Sequence, residues 1–250
     1  MKKMNRFCLI ILLFAGCLRA AGQQEVTTQQ VIDLMAKARQ RYLQPGGLQV
    51  NIDYYYANES TPGRYLDSIK AGLIMSGNNY RMKMSTVETI VNDKYSITLF
   101  QADSLIYLAK PAAAQTQYPL AAMDSLFLQM KDLHCTVNRQ GSVVEATIRF
   151  PDNLPYKSVS FSMDTVTGYL LQTKMLVKTD LMAPGADAAT LKKEGYDAYA
   201  IVETRFSSYS QPVLPEGYFD ESIFFTRTAN EYTVTIPYRG YKIFVATPNL

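Results

Sequence analysis

From Leu48 onward the apolar residues of this chain recur at every second position, a period that fits little besides antiparallel β structure. Leu48, Val50, Ile52, Tyr54 and Tyr56 alternate with Gln49, Asn51 and Asp53. Ile69, Ala71, Leu73 and Met75 alternate with Ser68, Lys70 and Gly72, and Tyr80, Met82 and Met84 with Arg81, Lys83 and Ser85. Neighbouring side chains of a strand point to opposite faces, so each run predicts a strand with one buried side. Turn residues punctuate the runs at Thr61-Pro62-Gly63, Gly77-Asn78-Asn79, Asn92-Asp93-Lys94 and Ala102-Asp103. Connections this short make a meander. The pattern returns at 142–150, 158–163, 169–178 and 199–209, with Asp164-Thr165-Val166-Thr167-Gly168 as a hairpin turn, and further β structure is expected at 224–225, 232–238 and 241–247.

Three stretches depart from this period. Thr27-Thr28-Gln29-Gln30 reads as a capping box, in which the Thr27 hydroxyl accepts from the backbone and Gln30 reaches back. Val31, Leu34, Met35, Ala38 and Tyr42 follow at helical spacing until Pro45-Gly46-Gly47 ends the element. Leu120, Met123, Leu126, Phe127 and Met130 share one helical face and predict a second short helix after Pro119. Residues 182–196, containing Ala183-Pro184-Gly185, read as a lid-like loop with a helical turn over 188–194. The fold class expected is α+β: a curved, mostly antiparallel sheet with helices over one face, forming a single domain over residues 23–250.

The first residues read differently. Lys2, Lys3 and Arg6 precede the uncharged run Phe7 to Ala15, and Ala20-Ala21-Gly22 lead into Gln23-Gln24. A basic start, a short apolar core and a small-residue exit make a secretory signal over residues 1–22. Phe14-Ala15-Gly16-Cys17 also resembles a bacterial lipobox, with Phe where Leu is usual. Lipidated at Cys17, the protein would be attached to the outer membrane; the exit at Ala20 to Gly22 predicts instead a periplasmic chain starting near Gln23 without lipid. Removing the signal takes away Lys2, Lys3, Arg6 and Arg19 and no acid, so 25 bases against 22 acids become 21 against 22. No basic run is left to suggest nucleic acid or an anionic membrane surface. Cys8 and Cys17 lie in the signal, which leaves Cys135 without an intramolecular disulfide partner in the mature chain.

The sequence is poor in catalytic vocabulary. His134 is the single His, which removes His-based metal clusters and most general-base arrangements. It adjoins Cys135, but neighbours on a strand face opposite ways, so the two do not form a nucleophile–base pair. No G-x-S-x-G elbow and no Gly-rich phosphate loop is present. Asp220-Glu221 is a carboxylate pair of the kind hydrolases use, read more simply as solvated turn acids, and the chain has no Trp to stack on sugars. Neither catalysis nor a cofactor is expected. The Asp-Ser/Thr-apolar triplets at Asp67, Asp103, Asp124 and Asp164 resemble O-glycosylation acceptors of exported Gram-negative proteins and also read as ordinary turns entering strands.

With 18 Tyr, 11 Phe and 11 Met, the chain can build an adaptable apolar wall. Val50, Ile52, Tyr54, Ile69, Leu73, Met82, Met84, Ile97 and Leu99 are expected on one curved face, where they would line an apolar cavity or form a sheet core against the first helix.

Four segments carry a family likeness. Gly77-Asn78-Asn79-Tyr80-Arg81-Met82-Lys83-Met84 leads to Glu88-Thr89-Ile90-Val91-Asn92-Asp93-Lys94-Tyr95, and Asp103-Ser104-Leu105-Ile106-Tyr107-Leu108 follows. Further on, Met163-Asp164 runs through Thr167-Gly168-Tyr169-Leu170. Over about Val31 to Phe206 the chain resembles the LolA/LolB-like lipoprotein-carrier superfamily, although Ile74-Met75-Ser76-Gly77 stands where carriers have an Arg-Pro pair. The resemblance implies a half-barrel with helices over its concave apolar face. It implies a non-catalytic binding or carrier protein for a lipid, acyl chain or lipoprotein in the bacterial cell envelope, acting as a monomer. The alternative is an envelope structural module that binds a protein partner on the same scaffold without lipid cargo.

Overall fold

The computed structural model describes residues 23–44, 46–111, 133–152, 154–183, 185–229 and 231–247. The expected signal, Cys17 and the helix expected around Leu120 to Met130 lie outside the described residues. The chain opens with β1 (Gln24–Val26) and α1 (Thr28–Tyr42). A meander follows: β2 (Leu48–Asn58), β3 (Tyr65–Ser76), β4 (Asn79–Met84), β5 (Val87–Val91), β6 (Ser96–Phe100) and β7 (Leu105–Ala109). Then come β8 (His134–Gln140), β9 (Val143–Arg149), β10 (Tyr156–Asp164) and β11 (Leu170–Lys178), the short helix α2 (Ala188–Lys193), and β12 (Tyr199–Ser210). The C-terminal part holds β13 (Phe225–Thr228), β14 (Glu231–Val234) and β15 (Lys242–Val245).

Among the described residues, thirteen strands form one open, mostly antiparallel sheet in the order β1-β8-β9-β10-β11-β12-β2-β3-β4-β5-β6-β7-β15, and β13 pairs with β14 separately. β12 lies against β2 and so joins the two meanders. β15 runs parallel to β7 at one edge; β1 forms the other by pairing with β8.

α1 begins as its sequence dictates. The Thr27 side chain accepts from the Gln30 backbone N–H, the Gln30 side chain accepts from the Thr27 N–H, and the buried face is Val31, Leu34, Met35, Ala38 and Tyr42. These five belong to one core cluster with Val50 and Ile52 of β2, Leu73 of β3, Cys135 of β8, Ile148 of β9, Phe161 of β10 and Phe206 of β12. A tyrosine network pins the helix end: the Tyr209 hydroxyl donates to the Leu170 carbonyl (2.8 Å) and pairs with the Tyr42 hydroxyl. The Tyr169 ring stacks on Tyr209 at 4.1 Å, and Arg41 donates to the Tyr169 hydroxyl.

A second cluster occupies the opposite face. The ladder carries Val50 across to Leu73, Met82, Thr89, Thr98 and Tyr107. Ile90, Ile97, Leu99, Ile106 and Leu108 therefore point the other way, where Phe219, Phe224 and Phe225 cover them. On that face the Arg81 guanidinium donates to the Glu88 carboxylate beneath the rings of Tyr218 and Phe224. The expectation of one face for all nine wall residues is corrected here: Ile97 and Leu99 lie under the C-terminal segment. The reason is the two-residue connection Ser85-Thr86, which sets Met84 opposite Val87, so that Val87, Thr89 and Val91 continue the face of Met82 and Met84.

A candidate ligand groove between the sheet and the 179–197 excursion

Between β11 and β12 the chain leaves the sheet and returns. The excursion starts with a single turn at Thr179–Leu181 and carries α2, whose cap is Asp187: its carboxylate accepts from the Ala189 and Thr190 backbone N–H groups, each at 2.9 Å. These bonds hold the Asp187 carboxyl below its usual range. Leu191 is the buried residue of α2.

The two ends of the excursion are tied to each other, and its returning end is tied to the end of β2 and the turn that follows. The Thr179 hydroxyl donates to the Asp197 carbonyl (2.6 Å), and the Asn58 side chain donates to the Gly195 carbonyl (2.8 Å) while accepting from the Asp197 N–H (3.0 Å). The Asp197 carboxylate accepts from the Ser60 N–H at 2.7 Å, which lowers its pKa. Such bonds satisfy backbone groups that a loop crossing a sheet would otherwise leave without partners.

The space enclosed is a groove of about 600 Å³. The sheet side contributes Tyr54, Tyr56, Ile69, Met84 and Val202, and the excursion contributes Met182, Ala183, Ala186, Leu191 and Tyr196. Tyr196 meets Tyr56 edge to face at 6.1 Å. Burial pushes the phenols of Tyr54 and Tyr56 above their ordinary range, so both stay neutral. Ile69 is 41%, Leu66 43% and Met182 48% exposed, an apolar surface facing open space rather than packed core. The volume falls within the usual range of small-ligand sites, about 300–1,000 Å³.

Of the nine wall residues expected from sequence, Tyr54, Ile69 and Met84 line the groove. Val50, Ile52 and Leu73 are buried in the core beneath α1, with Met82 packed against them, and Ile97 and Leu99 belong to the second cluster. The excursion's contribution was legible only as a lid-like loop; the Asp187 cap preceding Leu191 is the signal that it carries an ordered wall.

The other candidates resolve as structure. His134 is exposed, 3.5 Å from the Glu25 carboxylate, whereas Cys135 is buried near the Thr28 hydroxyl; burial pushes the Cys135 thiol up. The Asp220 carboxylate accepts from the Ser222 N–H, and the Glu221 carboxylate accepts from Lys94 and Asn92. Among the described residues no group of three or more His, Cys, Asp or Glu is placed to hold a metal ion, and no helix is long and apolar enough to cross a membrane.

No protein-family model and no curated protein sequence matches the chain. Among solved structures it is similar to an uncharacterized conserved protein from Thermus thermophilus, with 6% identity, a TM-score of 0.49, and 86% of this chain and 99% of that one covered. It is also similar to a LolA superfamily protein from Nitrosomonas europaea, with 12% identity, a TM-score of 0.35 and coverage of 79% and 99%. A putative outer membrane lipoprotein-sorting protein domain from Vibrio parahaemolyticus gives 9% identity, a TM-score of 0.32 and coverage of 79% and 99%.

Proposed function

We propose that the protein is a non-catalytic binding or carrier protein of the bacterial cell envelope, holding the apolar chain of a lipid or lipoprotein in the groove beneath the 179–197 excursion. In this reading residues 23–250 are one domain, its sheet curves as a half-barrel with α1 over the concave face, and the mature protein works in the periplasm. One observation carries the proposal: Leu66, Ile69 and Met182 present exposed apolar side chains to a groove of about 600 Å³. Apolar cargo gains about 25 cal/mol for each Å² withdrawn from water, which favours occupancy without any chemical step. Tyr54, Ile69 and Met84 form the sheet wall of the site, and Val50, Ile52, Leu73 and Met82 continue the same face beneath α1, where their packing anchors it. The signal-like N-terminus and the resemblance of the strand–turn motifs to lipoprotein carriers support the same reading.

The test is mass spectrometry of lipids that copurify from the native envelope, joined to titration of the delipidated protein with an uncharged fluorescent acyl ester. Saturable uptake that Met84→Asn weakens is expected. A protein that copurifies without lipid and takes up no probe would instead be the partner-binding module.

A further inference from the structure

We infer that the groove selects amphiphiles whose head group is positively charged, with the head between Tyr56, Asp67, Glu194 and Tyr196 and the tail along Tyr54, Ile69 and Met84. This rests on the reading of the groove as an apolar-chain site and goes on to the chemistry of the head.

The ladder sets the polarity of the groove. Tyr54 pairs with Ile69, and two residues further along, Tyr56 pairs with Asp67, so the sheet wall is apolar at one end and carries a carboxylate at the other. Tyr196 lies against Tyr56 at that same end, with Glu194 two residues before it in the chain. Asp67 and Glu194 are exposed, and among the described residues no Lys, Arg or His lines the groove. The bases that adjoin lining residues in the chain, Lys70, Lys83, Lys178, Lys192 and Lys193, do not line it.

An anionic head placed there meets two like charges without a compensating base. An alkylammonium head meets two carboxylates and the rings of Tyr56 and Tyr196, an acidic and aromatic setting of the kind that recognises quaternary ammonium groups. Tyr56 stays neutral because burial disfavours its phenolate, and its hydroxyl is engaged by Thr179.

The experiment displaces the uncharged acyl ester from delipidated full-length protein at low salt with three ten-carbon ligands: decyltrimethylammonium, decanol and decanoate. The ammonium should displace at a concentration about tenfold below decanol, because two exposed charge pairs and an aromatic face each contribute severalfold. Decanoate should be the weakest of the three. In the double variant Asp67→Asn, Glu194→Gln the ammonium-to-alcohol ratio should fall to about one, and salt should shrink it in the parent protein. Equal potency of the three ligands, or a preference for decanoate, overturns the head-group inference and leaves the groove reading intact. If the probe itself fails to bind, the groove reading falls and takes this inference with it.

Discussion

Leu73 and Ile69 lie on the same face of β3, four residues apart, and the structure assigns them different work. Leu73 is 5% exposed in the core beneath α1, whereas Ile69 is 41% exposed and borders the groove. Leu73→Asn forfeits the burial of a leucine side chain, about 1.5–3 kcal/mol, and buries an amide without a designed partner, about 1–3 kcal/mol more. The total, about 2.5–6 kcal/mol, is a large part of the roughly 5–15 kcal/mol that stabilises a domain. At about 2–4 °C per kcal/mol for a chain of this size, the melting temperature should drop by about 5–24 °C. Ile69→Asn changes a side chain already turned to open space and should cost about 1 kcal/mol or less, yet remove most uptake of the uncharged acyl ester. Thermal melts followed by circular dichroism, run beside the uptake assay on both variants, separate the two effects. If Ile69→Asn destabilises as much as Leu73→Asn, Ile69 is core and the groove is closed. If Leu73→Asn leaves the melt unchanged, the assignment of the first cluster as the core fails.

Three further outcomes follow from the geometry. Tyr209→Phe removes the bonds that the Tyr209 hydroxyl makes with the Tyr42 hydroxyl and the Leu170 carbonyl, so urea denaturation should show a loss of about 1–2 kcal/mol. Strong reductant should leave the melting temperature of the mature chain unchanged, and Cys135 should react with a thiol reagent only as the protein unfolds, because the thiol is buried and its pKa raised; rapid labelling of the native protein would contradict this placement. Asp187 and Asp197 have folded pKa values below their ordinary ones, so their contribution is complete above about pH 3.9, the unfolded value, and is lost as pH falls through the folded values. Exchange of the Ser60, Ala189 and Thr190 amides should accelerate in that acid window before the core amides respond, and a uniform response would show that the excursion does not open independently.

Much of the fold is legible in the residues because local signals and packing agree. The capping box at Thr27 and Gln30 and the spacing of Val31, Leu34, Met35, Ala38 and Tyr42 identify α1 down to its buried side. Alternation from Leu48 to Met84 gives three strands and their inward residues. The sequence does not display how a turn hands one strand's face to the next. Ile90 and Ile97 are more apolar than Thr89 and Thr98, yet the connection at Ser85-Thr86 puts the threonines on the face of Met82. β15 is equally hard to read, since its parallel partner β7 lies over a hundred residues earlier. The groove was half legible: Tyr54, Ile69 and Met84 carry the strand pattern, but Tyr196 and Leu191 become wall residues only through the bonds that bring the excursion back to Asn58 and Ser60.

The pairing of β12 with β2 also governs the order in which this molecule can assemble. β2 through β7 are built from hairpins between sequence neighbours, but the second partner of β2 is a strand about 150 residues downstream. Until Tyr199 to Ser210 are in place, one whole edge of the first meander has unpaired N–H and C=O groups, the template on which β-rich chains aggregate. Closing so long a loop is slow, and folding rates fall as pairing becomes less local. A chain truncated before Tyr199 should therefore precipitate or require a holding chaperone, while the full chain folds in a late step that completes both meanders together.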